Sequence, residues 1–150
     1  MGELLQFNEE MSRLQASLGA TAMLPPPCFT SMNAEFTAYE SRSALTVEIP
    51  VSNDMLNPVG SMQGGFITAA IDNTMGPLSY LALRSAASTL DIHTQFIRAV
   101  PGGERLRVTA RVVSMGPVSL VMEAEVLNSR GKLVARATAN ALAIRKEPRP

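Results

Sequence analysis

Residues 64 to about 84 form a long helical stretch that is apolar nearly all round, through Phe66, Ile67, Ala69, Ala70, Ile71, Met75, Leu78, Leu81 and Leu83. A helix of this kind is usually buried, so the rest of the chain has to cover it. Pro77 lacks an N–H and collides with the carbonyl four residues back, so a kink or break is expected near Gly76.

The flanking sequence supplies the cover. Outside this stretch the period changes to two, the spacing of strands. Segment 35–40 is one strand. Segment 43–51 is a clearer one, with Leu45, Val47, Ile49 and Val51 on one face and Thr46 and Glu48 on the other. Segments 88–98, 104–115, 118–129 and 132–145 follow, joined by turns at Gly102-Gly103, Gly116-Pro117 and Arg130-Gly131. A run of strands with a segregated helix means an α+β domain with five or six mostly antiparallel strands. A curled sheet would wrap the helix. The small face of the last strand, Ala135, Ala137 and Ala139, would let another backbone come close.

Before the strands, residues 3–18 read as an amphipathic helix on Leu4, Leu5, Phe7, Met11, Leu14 and Leu18, with Gly19 as a stop. Pro25-Pro26-Pro27 reads as an extended linker, neither helix nor central strand. The expectation is one domain over 1–150, with 1–34 an appended helix and proline-rich linker.

Composition removes several classes of function. One Cys, Cys28, excludes an internal disulfide framework. One Cys and one His cannot make a structural zinc site, which takes four such ligands. A nucleophilic triad could use only His93, a residue more simply read as a strand histidine. Asp91, on the same face, is expected to pair with an Arg. Thirteen Lys plus Arg balance thirteen Asp plus Glu, with no basic run, so no nucleic-acid partner is expected. The Arg residues of 105–111 read as a solvated strand face. No apolar run reaches the length of a membrane span, and the start has no positive n-region. A soluble cytoplasmic protein with no membrane partner is expected.

The stretch Asn57-Pro58-Val59-Gly60-Ser61-Met62-Gln63-Gly64-Gly65, followed by Asp72, carries the chemistry. Two glycines open the helix, where a ligand can approach the backbone and the first amides have no internal partners. With the helix dipole, such amides suit the oxygen of a tetrahedral intermediate. Gln63 and Asn57 add neutral donors. Asp72 sits in the apolar helix, in line with Thr68 and Gly76 at i, i+4 and i+8, and a carboxylate buried there without a purpose would be costly. It could instead be satisfied by neighbouring backbone, and Asn57 before Pro58 could be a plain turn opening. Eight residues part Gly64 from Asp72, roughly 12 Å along a helix axis at 1.5 Å per residue. Base and oxyanion donor must both lie within about 3 Å of the reacting group. One chain therefore cannot easily supply both, whereas two antiparallel copies across a two-fold axis can. A composite site at a homodimer interface is expected, two per dimer.

Asn57, Gln63-Gly64-Gly65, Asp72 and the strand Thr89 to Phe96 together resemble the hotdog-fold acyl-CoA thioesterases, nearest to the PaaI-like, phenylacetyl-CoA branch. The resemblance covers about residues 35–145. It implies a hotdog fold, with a central helix wrapped by the sheet, and hydrolysis of an acyl-CoA by a homodimer, assembling to a homotetramer. It implies no metal or redox cofactor, since coenzyme A belongs to the substrate. Asp72 would activate water or attack the thioester carbonyl. The Gly64 amide, with Gly65, would polarise that carbonyl; Asn57 would position the thioester or the water; Thr89 would hold the water. Thr68 and Phe96 would line the substrate site. Coenzyme A would lie over 96–101 and 114–119, bringing in Arg98, Gly116 and Pro117, with Arg130, Arg136, Arg145 and Lys146 as further phosphate candidates. The chain departs from the family in having Gln63 where a His is usual, and in lacking a Lys in the turn Ser114 to Val118. Two rivals follow: a non-catalytic acyl-CoA-binding protein, and an acyl-thioester dehydratase or hydratase, which usually needs the missing His.

Overall fold

The computed structural model describes residues 2–144. Helix α1 spans Gly2–Leu18 and the short helix α2 Pro27–Thr30. Strands β1 (Glu35–Glu40) and β2 (Ala44–Pro50) lead through a 3-10 turn at Asn53–Met55 into helix α3, Gly64–Leu83. Strands β3 (Ala87–Phe96), β4 (Arg105–Met115), β5 (Ser119–Leu127) and β6 (Leu133–Ala143) follow. They form one six-stranded sheet in the order β1-β2-β4-β5-β6-β3, with every pair antiparallel. The α+β architecture expected from the sequence is observed, with six strands.

The sheet curls round α3 because each buried side has a counterpart. Ile71, Met75 and Leu78 of α3 are fully buried, as are Val47, Ile49, Leu106, Val108, Met122 and Val126 of the sheet. The alanine row of β6 is buried and admits the helix closely. Two expectations need correction. The helix is not covered on all sides, because Gly65, Phe66 and Asp72 are exposed on a strip that the curl does not reach. Nor does it break at Gly76: α3 runs through Pro77 as one element. A proline removes one internal hydrogen bond, and the buried contacts of Met75 and Leu78 on either side hold the helix together across that gap.

The C-terminus of α3 is closed by two devices. Arg84 takes the left-handed conformation at φ 52°, and the Arg42 guanidinium donates to the Ala82 carbonyl through Nε and Nη2 at 3.2 and 2.9 Å. A cation on the last carbonyls of a helix opposes its negative end.

The proline segment is also more structured than a linker. Pro27 opens α2, where a missing N–H costs nothing because first-turn amides lack partners anyway. The helix Gly2–Leu18 matches the amphipathic reading and buries Phe7 and Leu14. The Phe7 ring lies 4.5 Å from Phe36 and 5.3 Å from Tyr39. A polar clamp completes the contact. Tyr39 Oη donates to Glu10 Oε2 at 2.6 Å, while Ser41 Oγ and Gln6 Nε2 donate to Glu10 Oε1 at 2.8 and 3.1 Å. The same Tyr39 oxygen accepts from the Arg42 amide at 2.9 Å. Partial burial pushes the Glu10 carboxyl up, but the hydrogen bonds from Tyr39, Ser41 and Gln6 outweigh it and hold Glu10 below the usual Glu range. Burial, and then donation to Glu10, push the Tyr39 phenol up.

Two outcomes follow from this clamp. Tyr39→Phe leaves the Glu10 carboxylate and the Arg42 amide short of a partner and should cost about 1–2 kcal/mol in urea unfolding. A carboxyl lowered on folding adds stability above its unfolded value, about 4.3, and loses it as pH falls through the lower folded value. The protection factors of the α1 amides, measured relative to intrinsic exchange at each pH, should therefore fall as the pH drops below about 4, and Glu10→Gln should remove that pH dependence.

Candidate active site

The site grows from the contact between α3 and β3. Thr68 and Asp72 are one turn apart on α3 and face the strand. Thr68 Oγ1 donates to Thr94 Oγ1 at 3.2 Å, and Thr89 Oγ1 donates to Asp72 Oδ1 at 3.1 Å. Positions 89 and 94 would point to opposite faces of a regular strand. The register of β3 against β6 shifts between Thr89 and Asp91, so both threonines turn towards the helix. A bulge beside a site commonly re-aims a side chain in this way. Asp72 is exposed in the single chain, not buried as expected, because it lies on the strip of α3 beyond the sheet's curl.

The N-terminal end of α3 holds a second group of candidates. Gln63 is the N-cap, and its Oε1 accepts from the Phe66 amide at 3.3 Å. Among the described residues, the amides of Gly64 and Gly65 have no backbone partner. A side chain on Gly64 would come within 3.0 Å of the Phe96 ring, so Phe96 lies directly beside that amide. Asn57 Oδ1 accepts from the amides of Val59 and Ser61 at 3.1 and 3.0 Å, which is the turn-forming reading; its Nδ2 remains to point elsewhere. Arg98 is exposed just beyond β3. The following loop is tied to the helix start by the bond from the Met62 amide to the Val100 carbonyl at 2.7 Å.

Two clusters therefore exist in one chain. Asp72, Thr89, Thr68 and Thr94 make one. Gly64, Gly65, Gln63, Phe96 and Arg98 make the other, two turns of helix away. The Gly116–Pro117 turn is brought to neither, since Met115 beside it lies against Arg42 at the C-terminal end of α3. Arg136 faces the outer side of the sheet, in a groove with His93, Gln95, Arg111, Glu123 and Glu125. Arg130 lies in the β5–β6 turn, and Arg145 and Lys146 lie outside the described residues. Asp91 pairs with Asn140 Nδ2 at 3.1 and 3.0 Å, not with an Arg, because the facing strand residue is an asparagine. Arg105 and Arg107 are ion-paired to Glu48 on the sheet surface. Among the described residues no group of three His, Cys, Asp or Glu could hold a metal, and no helix is long and apolar enough to cross a membrane.

Sequence reasoning missed the space beside Asp72. A cavity of about 1100 Å³ lies between α1, the linker, α3, β1 and the start of β3, and both Asp72 and Thr89 line it. The amphipathic stripe of residues 3–18 was a signal that α1 packs on something, but nothing in the stripe names its partner. Thr94, the partner of Thr68, carried no signal, because its side depends on the bulge.

The model of the thioesterase superfamily matches residues 59–135, just over half of the chain and the whole span from Gln63 to Thr94. Comparison with curated proteins finds no match. Solved structures share the fold. The Escherichia coli PaaI protein from the phenylacetic acid degradation operon aligns with a TM-score of 0.80 at 20% identity, over 92% of this chain and 95% of its own. A phenylacetic acid degradation-related protein of Ralstonia eutropha JMP134 aligns with a TM-score of 0.73 at 29% identity, over 79% of this chain and 90% of its own. The Streptococcus mutans UA159 protein smu.793, solved bound to acetyl CoA, aligns with a TM-score of 0.71 at 25% identity, over 77% of this chain and 92% of its own. The central helix, the six-stranded sheet and the matched span agree: the chain belongs to the thioesterase superfamily, as a thioester hydrolase of hotdog fold.

Proposed function

We propose that the chain hydrolyses an acyl-coenzyme A thioester at sites shared across a homodimer, two per dimer. The observation that carries this reading is the Asp72 carboxylate, exposed beside a cavity and fixed by the Thr89 hydroxyl at 3.1 Å. Among the described residues no cation is ion-paired to it, and it lines that cavity. The bound acetyl CoA of the Streptococcus mutans relative supports the choice of thioester.

Asp72 takes a proton from a water molecule as the water oxygen attacks the thioester carbonyl carbon. The carbonyl π electrons move to oxygen, and that oxyanion meets the Gly64 and Gly65 amides at the helix N-terminus. Collapse re-forms the carbonyl and breaks the C–S bond. The thiolate of coenzyme A leaves and takes up the proton, and the acid is released. Direct attack by Asp72, giving an anhydride that water then opens, uses the same groups. Thr89 donates to Asp72, so it orients the carboxylate and can still accept from the water. Gln63 Nε2 and Asn57 Nδ2 are neutral donors towards the thioester.

The amides that would hold the oxyanion lie two turns of α3 away from Asp72, about 12 Å. The partner's helix, running antiparallel, brings the two ends together. The same operation brings the partner's Gly116–Pro117 turn, at the far end of α3, to the Gly64 end. Arg98 stands beside Phe96 there, as a cation for the phosphates of coenzyme A, with Arg130 and Arg136 as more distant candidates. Two dimers joining into a homotetramer completes the reading. The proposed reaction calls for no metal or redox cofactor. A second reading, an acyl-CoA-binding protein without catalysis, draws on Gln63, which cannot carry the charge of the usual His.

Asp72→Asn should lower kcat by roughly 10²–10⁴-fold on the best acyl-CoA of a panel, without loss of thermal stability; equal rates for variant and wild type would leave the binding reading. Gln63→His should keep hydrolysis. Sedimentation should give a dimer or tetramer. Gly64→Pro removes one amide at a position where helices accept proline. Mixed with Asp72→Asn, it should regain roughly a quarter of wild-type activity through the one intact shared site of each mixed dimer. A mixture as inactive as its parts would place both groups in one chain.

A further inference from the structure

The cavity beside Asp72 is larger than a two-carbon acyl group needs. At about 1100 Å³ it matches or exceeds the usual 300–1,000 Å³ of ligand pockets. Resting on the thioesterase reading above, we propose that this space under α1 is the acyl subsite, that it selects medium-chain acyl groups over acetyl, and that Gly76 sets their size.

Three observations combine. Asp72, Gly76 and Tyr80 follow one another at four-residue steps on α3, and all three line the cavity. They mark a path of roughly 12 Å along the helix, starting at the carboxylate that would act on the carbonyl. At its middle, a side-chain carbon built on Gly76 would meet nothing within 4 Å. The glycine is therefore not demanded by backbone or by packing within the chain, and in a helix it costs stability relative to alanine. What its missing side chain provides is room, one turn from Asp72. The opposite wall is apolar and comes from α1 and β1, through Phe7, Met11, Leu18 and Phe36. A chain lying between these walls removes methylenes from water, each worth roughly fourfold in affinity.

The wall formed by α1 is held by the Glu10–Tyr39 clamp and by the Phe7–Phe36 contact. The subsite thus lies between the N-terminal helix, β1 and α3, with the start of β3 at its Asp72 end. The chain's one cysteine reports on it, since Cys28 is exposed, lines the same cavity and contacts Asn73 of α3.

The test compares kcat/KM for octanoyl-CoA and acetyl-CoA. Wild type should favour octanoyl. Gly76→Leu, which improves helix propensity and so should fold, should cut the octanoyl-to-acetyl ratio at least tenfold, and Gly76→Ala should cut it less. Met11→Trp, filling the space from the other wall, should move the ratio the same way. Independently of activity, S-octyl-CoA (a thioether that cannot be hydrolysed) should slow maleimide labelling of Cys28, while S-methyl-CoA should not. An unchanged ratio in Gly76→Leu, a wild-type preference for acetyl, or equal protection by the two thioethers would overturn the assignment. So would a Gly76→Leu that dissociates the dimer in sedimentation, since a second copy would then fill the space. If no acyl-CoA were hydrolysed, the thioesterase mechanism would fail, and the labelling experiment would still decide the subsite.

Discussion

The structure depends on the need to cover one apolar helix. Helix α3 has too much apolar surface to stand in water, and too many apolar sides to rest on a flat sheet. The curl of the sheet answers most of that need: α3 contacts β2 and β4 in one half of the sheet and β3, β5 and β6 in the other, and Ile71, Met75 and Leu78 are fully buried. The chain order serves the same end. Strand β2 enters the helix from one side of the sheet and β3 leaves it at the opposite edge. The helix thus crosses the hollow instead of lying along one strand pair. What the curl does not reach remains as an exposed strip carrying Phe66 and Asp72, and the candidate site lies along that strip.

The strip is arranged by β3, an edge strand. Among the described residues it pairs with β6 on one side only, and it exposes Leu90 and Phe96, with Ile97 exposed just beyond it. An unpaired, apolar edge is a place where another strand can add, which supports the shared-site reading. The bulge on this strand is the device that joins fold to chemistry. Without the shift at Leu90, either Thr89 or Thr94 would turn to the outer face, and one of the pairs Thr89–Asp72 and Thr94–Thr68 would be lost. The helix-facing row of β3 and the i, i+4 stripe of α3 match in spacing only because of that extra residue.

The sequence reading succeeded where local periodicity was unambiguous. The alternation of Leu45, Val47, Ile49 and Val51 could only be a half-buried strand, and the helix opening at Gly64-Gly65 lies where those glycines put it. It erred where packing overrode local preference. Pro77 was expected to kink or break α3, and no break occurs, because the buried residues on either side outweigh one lost hydrogen bond. Pro27 was read as linker and starts a helix, at a position that asks nothing of its nitrogen. Asp72 was expected to be buried from the apolar character of its neighbours, and a helix wheel cannot say which side the sheet will leave open. Asp91 was expected to meet an Arg, and its partner Asn140 is set by strand register, a property of two distant segments.

By itself, the sequence determined the two long helices and the six strands, that they make an α+β domain, and which stretch is the candidate for the chemistry. Those follow from side-chain period, glycine placement and the spacing of Gly64 and Asp72, all of which are local. The tertiary structure alone decided which face of α3 stays open, that the β3 bulge turns Thr89 and Thr94 to the same side, and that α1 folds back to form one wall of a cavity at Asp72. These depend on contacts between residues far apart in the chain, such as Glu10 with Tyr39 and Phe7 with Phe36. No period within either segment encodes such a meeting, because its free energy exists only once both surfaces are formed.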